Sequence, residues 1–451
     1  MQYKFSIITL GCKVNQCESE SISRYLKDAG WKPAQKGEHA DLCILNTCTV
    51  THKASMQSRQ AARQAVRANP GAKLIVTGCY AQTEPEELKK IAGIDHIIGH
   101  NSKHQIPELA VSLIKDKTEL PYVLNEKIRD EKLFRQIPGL SAGNRTRPFL
   151  KIQDGCNAFC TYCIVPYARG RSRSMPVKNV LNNIMLLKES GYKETVISGI
   201  HLGCYGQDFS PVTDLFNLFK IIDNQKLIDR VRISSIEPRE LSDDIIKLVA
   251  DSDCFCRHFH IPLQSGDNSI LKKMHRPYTR EYFKNLVIKI HDFMPDAAIG
   301  ADTLIGFPGE SDKNFENTYN TIKNLPVSYV HVFPFSPRKG TPAYNFPDQV
   351  KTEIVKHRCY KMRELGKKKK KNFYEKFINQ TIDVLVEGKL DKKGRLLSKM
   401  LKGVSSNYLM VRFQGDDSLK NIIVPVKIDK IEDAGFAQGY LPDLPDLSGI
   451  K

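Results

Sequence analysis

Two stretches of the chain, residues 1 to about 115 and 148 to about 345, alternate short β-branched apolar runs with segments of helical spacing. No other feature narrows the fold as much. In the first stretch the apolar runs are KFSIITLGC, ADLCILNTC and AKLIVTGC, with HIIGH (96–100) a weaker fourth. SESISRYLKDAG (19–30) and ASMQSRQAARQAVRAN (54–69) lie between them at helical spacing. Short apolar strands separated by helices form parallel sheets covered by those helices, so an N-terminal parallel α/β sheet domain is expected. In the second stretch FLKIQDG, TVISGI, VRISSI, FHIPLQ, AIGADTLIGFP and YVHVFPF make six strand/helix units. Six units suit an open partial (β/α)6 barrel, with a doubly wound sheet as the alternative.

The remaining segments differ in character. Residues 116–147 are charged and broken by Pro and Gly, which reads as a linker or a loop over the next domain. Residues 352–378 are basic and helical in pattern, with Lys367 to Lys371 unbroken. TIDVLVEGKL, GRLLSKMLKG, NYLMVRF, NIIVPVKI and AGFAQGYL follow, short runs divided by Gly and Asn/Asp turns, which predict a small antiparallel β-barrel. The expected division is therefore 1–115, a linker at 116–147, a barrel with its trailing basic helix at 148–371, and a terminal barrel at 372–440.

A chain of 451 residues, 41% hydrophobic, can build two or three cores. It has no apolar run of about 18 residues, and MQYKFSIITLGCKVNQ enters a strand pattern directly, so a cytoplasmic protein with no membrane association is expected. In such a reducing compartment twelve cysteines are no disulfide framework; ligation, redox chemistry and core packing compete to explain them. A formal charge of +18 favours a polyanion, nucleic acid above all, over a merely basic soluble enzyme.

GCNAFCTYC places Cys156, Cys160 and Cys163 at C-x3-C-x2-C in a turn after the first barrel strand. A zinc knuckle would need a fourth ligand, but the nearest histidine, His201, follows another strand, and Asp154 is no thiolate. Three thiolates without a nearby fourth suit a [4Fe–4S] cluster with one iron open. Cys12, Cys48 and Cys79 are scattered, yet each follows the end of a predicted parallel strand, where such sheets form a ligand crevice. They are either ligands to a second cluster or buried core thiols. Their small or polar turn context favours the former, whereas Cys43 lies inside the apolar run LCIL and reads as core. Cys17 reads as structural, and Cys204, Cys254, Cys256 and Cys359, which form no ligand-like group with one another, as packing.

With Tyr162 just before its last cysteine, GCNAFCTYC resembles the signature of the radical S-adenosylmethionine (SAM) superfamily. The whole pattern of strand-end cysteines, C-x3-C-x2-C barrel and small terminal barrel resembles the methylthiotransferase family over essentially the entire chain. That resemblance implies an auxiliary [4Fe–4S] cluster on Cys12, Cys48 and Cys79, and a second, SAM-binding [4Fe–4S] cluster on Cys156, Cys160 and Cys163. It implies two SAM molecules per turnover, one methylating a sulfur and one serving as radical source, and a terminal TRAM-like RNA-binding domain. SGIHLG (198–203), SSIEP (234–238), IPLQSG (261–266), MHRPYTR (274–280), DTLIGFPGE (302–310) and FPFSPRKGTPA (333–343) look like family blocks. Together with Tyr162, Gly199, Ser235, Glu237, Gln264 and Arg338 are the implied contacts to SAM or substrate; no catalytic residue is assigned beyond the cluster ligands.

TLGCKVNQCESE, NTCTVTHKA with SRQAARQA, and VTGCYAQ resemble the branch that acts on N6-threonylcarbamoyladenosine in tRNA. The isopentenyladenosine branch reads closer to GCQMN and the ribosomal-protein branch closer to GCPKN; Cys17 stands where Tyr is commoner. The implied reaction is methylthiolation of C2 of that adenosine at tRNA position 37, in the anticodon loop, drawing on a reducing electron donor and a sulfur source. The alternatives are the isopentenyl substrate at the same position and a non-catalytic iron–sulfur RNA-binding protein. The basic run Lys367 to Lys371 is expected to grip tRNA phosphates.

Overall fold

A computed structural model describes residues 2–35, 37–115, 122–139, 143, 145–389, 400–432 and 435–442. The N-terminal sheet has strands β1 (Lys4–Thr9), β2 (Lys32–Pro33), β3 (Leu42–Thr47), β4 (Lys73–Gly78), β5 (His96–Ile98) and β6 (Val123–Leu124), in the order β2-β1-β3-β4-β5-β6. All its pairings are parallel. Central β3 is buried throughout and feeds two cores. Leu42 and Ile44 pack with Ile22, Leu26 and Ile106 on one face, and Cys43 and Leu45 with Ala62, Ala65 and Leu88 on the other. Cys43 is thus core, as its apolar run implies. Strand β6 falls inside the stretch expected to be a linker or loop; a two-residue strand has no period for a sequence reading to find.

The second unit comprises β7 (Phe149–Lys151), a small antiparallel pair β8 (Gln153–Asp154) and β9 (Arg173–Ser174), then β10 (Glu194–Ser198), β11 (Arg230–Ile233), β12 (His258–Gln264), β13 (Ala298–Ile305) and β14 (Tyr329–Pro334). Parallel pairing gives β7-β10-β11 and β12-β13-β14, and bridges Val231–Phe255 and Ser235–His260 join the two sets into a six-stranded partial barrel, with β7 and β14 as free edges. Alternation sorts the strand residues. Val231, Ile233, Phe259 and Ile261 belong to the outer hydrophobic core, whereas Arg230, Arg232, His258 and His260 between them do not. The inner face is therefore polar.

The terminal unit is a closed barrel of β15 (Thr381–Lys389), β16 (Met400–Ser405), β17 (Met410–Gln414), β18 (Ile423–Ile431) and β19 (Ala437–Tyr440) in the order β15-β16-β17-β19-β18. Residues 394–399 of the expected strand GRLLSKMLKG lie outside the described residues. One pairing, β17 with β19, is parallel, so the barrel is not wholly antiparallel. A single helix, Thr352–Glu375, contributes Cys359, Met362 and Leu365 to the core of the partial barrel and Phe373 and Tyr374 to that of the closed one. Buried Arg232 fastens the two barrels. Its guanidinium donates to Glu194 at 2.7 Å and to the carbonyls of Ser405 at 3.0 Å and Ser406 at 2.9 Å. Among the described residues, no helix is long and apolar enough to cross a membrane.

Removing one partner of a buried pair leaves an uncompensated charge and costs about 3–5 kcal/mol. Arg232→Ala, which leaves buried Glu194 only the longer contact to Arg147 at 3.8 Å, is therefore expected to lower the urea midpoint and to uncouple the unfolding of the terminal barrel from that of the remainder. Coincident transitions at an unchanged midpoint would contradict this.

Candidate functional site

The two sets of cysteines meet at the seam between sheet and partial barrel. Thr47 and Gly78 are register partners on β3 and β4, so Cys48 and Cys79, the next residues, leave adjacent strand ends together. Gly11 has φ +99°, and a Cβ there would stand 2.9 Å from the Cys48 sulfur, so only glycine lets the loop carrying Cys12 come this close. Burial pushes the Cys79 thiol up to about 12, against the pull of Arg169; Cys48 and Cys12 add smaller upward contributions, which places the three side by side.

The second trio is held in a tight turn. Gly155 has φ +74°, and an added Cβ would lie 1.9 Å from the carbonyl oxygen of Arg171. The Cys156 amide donates to Gly170 O at 3.0 Å, and the Cys163 amide to Cys160 O at 2.9 Å. Gln153 staples this turn to the SGIHLG loop. Its Nε2 donates to the carbonyls of Asp154 and Gly155, while its Oε1 accepts the amides of Ile200 and His201. Gly199 packs on the same side chain, where a Cβ would be 2.9 Å from Oε1. His201, discounted in sequence because it follows another strand, comes through Nδ1 within 3.3 Å of the Cys156 sulfur and 3.5 Å of the Cys204 sulfur, while its Nε2 lies 2.5 Å from Glu240. Cys204, read as packing, thus belongs to a polar cluster beside the turn.

Two family models match the chain: "Uncharacterized protein family UPF0004" over residues 4–99 and "Radical SAM superfamily" over residues 150–322. The chain is 37% identical to a threonylcarbamoyladenosine tRNA methylthiotransferase of Bacillus subtilis over 422 residues, 94% of this chain and 93% of that one. A protein of the same description from Aquifex aeolicus is 36% identical over 91% of this chain and 97% of its own. The chain belongs to the radical SAM methylthiotransferase family. It is also 35% identical to a tRNA-2-methylthio-N(6)-dimethylallyladenosine synthase of Clostridium tetani, over 94% of each chain. Among solved structures, the radical S-adenosylmethionine methyltransferase TsrM of Kitasatospora setae superposes with a TM-score of 0.57 at 15% identity, over 76% of this chain and 77% of that one, a likeness of fold.

As a radical SAM methylthiotransferase the chain is an enzyme, and its donor sets suit iron–sulfur chemistry. Neither trio is tied up in a disulfide: three soft donors gather at the ends of β1, β3 and β4, and three more in the single turn after β8. Positive charge stands beside each group. Arg276 donates to the Cys160 sulfur at 3.2 Å and pairs with Glu237. Arg169, buried between the trios, donates to Asn15 at 2.5 Å, Asp154 at 2.8 Å and Glu18 at 3.1 Å, and its Nε has no hydrogen-bond partner among the described residues. Sequence reasoning missed Arg169, Arg276, Glu18 and Gln153. Their types carry no ligand signature, and only the fold brings them to the cysteines.

The other expected contacts separate. Glu237 joins the second trio through Arg276, whereas Arg338 joins the first by donating to Thr49 at 2.6 Å, next to Cys48. Gln264 ends β12 at φ +62° beside a register shift, and Ser235 is exposed at the bridge between the two strand sets. Tyr162 packs edge-on to Phe307 at 6.5 Å in a small apolar cluster beneath the turn. Facing the lumen is a hydrogen-bonded chain from His258 to Tyr329 (2.8 Å), His260 (3.0 Å) and Asp302 (2.7 Å), with His331 3.3 Å from Asp302.

The lysine run is split by helical phase. Lys367, Lys368 and Lys371 are exposed, whereas Lys369 donates to the carbonyl of Leu325 at 2.5 Å and Lys370 lies 5.1 Å from the Tyr374 ring. Beside β14 a groove of about 430 Å³ is lined by Lys367, Lys370 and Arg363 together with Tyr329, Tyr374 and Tyr408.

Burial pushes the Glu18 carboxyl up, but Arg169, Lys103 and Lys151 outweigh burial and hold it well below the ordinary value of 4.5. Its stabilisation is therefore complete above pH 4.5 and fades as pH falls toward the depressed folded value. Glu18→Gln is expected to cost about 3–5 kcal/mol at neutral pH. In chemical denaturation the gap from wild type should narrow on acidification; a gap independent of pH would show that the charge of Glu18 contributes nothing.

Proposed function

We propose that this enzyme methylthiolates C2 of N6-threonylcarbamoyladenosine at tRNA position 37, with Cys12, Cys48 and Cys79 holding one [4Fe–4S] cluster and Cys156, Cys160 and Cys163 the other. The observation that carries the proposal is a pair of three-cysteine sites, one at three strand ends of the sheet and one in a barrel turn, in a chain similar, over 94% of its length, to a threonylcarbamoyladenosine tRNA methylthiotransferase. Carbon C2 has neither an acidic proton nor a leaving group, so general acid–base residues cannot activate it. When bound, the cluster at Cys156, Cys160 and Cys163 with SAM supplies radical chemistry able to take that hydrogen, while the auxiliary cluster at the other trio carries the sulfur to be transferred.

The chain's own residues bind, orient and shield. Arg276 stabilises Cys160 as a thiolate and fixes Glu237, whose ion pair closes the mouth beside it. Gln153 holds the SGIHLG amides against the cysteine turn, leaving the backbone at Gly199 bare for close approach. Arg169 offsets the negative charge that deprotonated ligands bring to the seam. The seam excludes water on its sheet side through the buried residues Asn15, Glu18 and Asn46. In the groove beside β14, cations alternate with aromatic rings, a composition that grips phosphates and stacks splayed bases of an anticodon loop. An electron donor and a sulfur source complete the partners, and a tRNA substrate fits a cytoplasmic location.

Four measurements test this reading. Alanine at Cys12, Cys48 and Cys79, and separately at Cys156, Cys160 and Cys163, should each remove about four irons from the reconstituted enzyme; an unaltered iron content would refute the ligand assignment. In tRNA nucleosides from a deletion strain, 2-methylthio-N6-threonylcarbamoyladenosine should vanish. Its persistence with loss of the isopentenyl analogue would assign the chain to the dimethylallyladenosine reaction instead, and failure of the reduced enzyme to release 5′-deoxyadenosine from SAM would favour a non-catalytic iron–sulfur protein. Finally, joint replacement of Lys367, Lys368 and Lys371 by Ala should weaken tRNA binding and reduce the salt slope by about 1 per lost phosphate contact. An unchanged slope would make the exposed lysines a merely solvated face.

A further inference from the structure

We infer that Lys13 selects the substrate by pairing with the carboxylate of the threonylcarbamoyl substituent. The inference rests on the substrate and auxiliary-site reading above and names the residue that reads the substituent. Lys13 follows Cys12 directly and opens the helix Lys13–Asp28. Its ammonium lies 6.0 Å from the Phe149 ring on β7, the first barrel strand; partial desolvation first, and then Arg147 and Arg232 against the opposing pull of Asp302, lower its pKa from the ordinary lysine value. It therefore points from the sheet domain into the polar mouth of the barrel, and its side chain stays open to solvent there.

The cations around it are already matched. Arg232 pairs with Glu194 at 2.7 Å, Arg147 with Glu387 at 2.7 Å, and Arg145 with Glu20 at 2.7 Å. Asp302, the acid that Lys13 feels, is taken by His260 at 2.7 Å and His331 at 3.3 Å. Among the described residues Lys13 makes no ion pair and no hydrogen bond, which leaves an accessible ammonium in the mouth with no protein anion to neutralise it.

Substrate chemistry supplies the anion. In adenine, C2, which receives the sulfur, and C6, which carries the substituent through N6, are bonded to the same ring nitrogen. A residue that reads the substituent must therefore stand within a few ångströms of the sulfur donor, and Lys13 is the neighbour of Cys12. The threonylcarbamoyl group ends in a free carboxylate, whereas the isopentenyl group is uncharged hydrocarbon, so one ammonium in this place separates the two substrates.

The test uses reconstituted enzyme without SAM and anticodon stem-loops whose position-37 adenosine carries the threonylcarbamoyl group as free acid or as carboxamide. Wild type should bind the acid about tenfold more tightly, as expected for one charge-assisted hydrogen bond. Lys13→Met should bring that ratio near one while leaving carboxamide affinity and iron content unchanged, and Lys13→Arg should restore part of the preference. A tenfold ratio that persists in Lys13→Met overturns the assignment. So does a wild-type ratio near one, which requires no variant and remains decisive if Lys13→Met loses iron. The underlying reading fails separately, if wild type with SAM converts the isopentenyl stem-loop and not the threonylcarbamoyl one.

Discussion

Arg169 is the point on which both cysteine sites hang. It ends the short helix Val165–Arg169 just after the second trio, and its carboxyl-side neighbour Gly170 accepts the Cys156 amide. Its guanidinium crosses the seam to Asn15, Glu18 and Asp154. Asn15 donates onward to the carbonyls of Leu10 and Thr47, next to the loops that carry Cys12 and Cys48. Lys103 shares Glu18, Lys151 shares both carboxylates, and Arg173 reaches Asp154 at 3.9 Å, so four buried cations face two buried anions. Alone, such a cluster is a liability, because desolvation of that much charge costs more than imperfect pairing returns. The excess positive charge becomes favourable once thiolates ligate metal beside it, which gives a reason to bury Arg169 where a hydrophobic residue would pack more cheaply.

What the sequence discloses of this arrangement follows the range over which each signal acts. Strand and helix alternation is local, so the parallel sheet, the six-unit partial barrel and the terminal barrel were all legible, whereas β2 and β6, two residues each, have no period to read. The compact trio at Cys156, Cys160 and Cys163 was legible for the same reason. The scattered trio could be read only because Cys12, Cys48 and Cys79 occupy equivalent places after parallel strands, and parallel register turns equal places into spatial neighbours. Glu18 and Arg276 lie inside the family-like blocks TLGCKVNQCESE and MHRPYTR, but no spacing in those blocks singles them out. Each is a charged residue on an ordinary helix or turn, and its partners lie 151 residues away at Arg169 in one case and 116 away at Cys160 in the other.

The lysine run illustrates the opposite failure, a loud local signal that the fold divides. Five consecutive lysines on a helix cannot share a face, since each step turns the side chain through roughly 100°. Lys369 consequently points back to satisfy carbonyls at the end of the helix Asp312–Asn324, a structural task, and Lys370 lies half-buried over the Tyr374 ring, while Lys367, Lys368 and Lys371 remain in solvent. Composition overstates the phosphate-gripping surface, and the aromatic residues that suit the groove to bases come from β14 (Tyr329), the terminal barrel (Tyr408) and the end of the same helix (Tyr374).

An open barrel has two free edges, and the N-terminal sheet engages both. At the β7 side the link is ionic, from Lys151 and Arg169 to Glu18. Beyond β14 it is made by hydrogen bonds, with Arg338 donating to Thr49 and Ser336 accepting the His52 amide at 3.0 Å. Thr49 and His52 flank the turn after Cys48, and Glu18 lies on the helix after Cys12, so each clasp holds one segment that carries a cysteine of the first trio. A reaction needing two reagents delivered to one ring carbon has little tolerance for relative motion of their carriers, since misplacement by an ångström can cost about a hundredfold in rate. Clasping the sheet to both edges removes the hinge that a single contact would leave, and confines substrate entry to the lumen side, where Lys13, Asp302 and His331 face the opening.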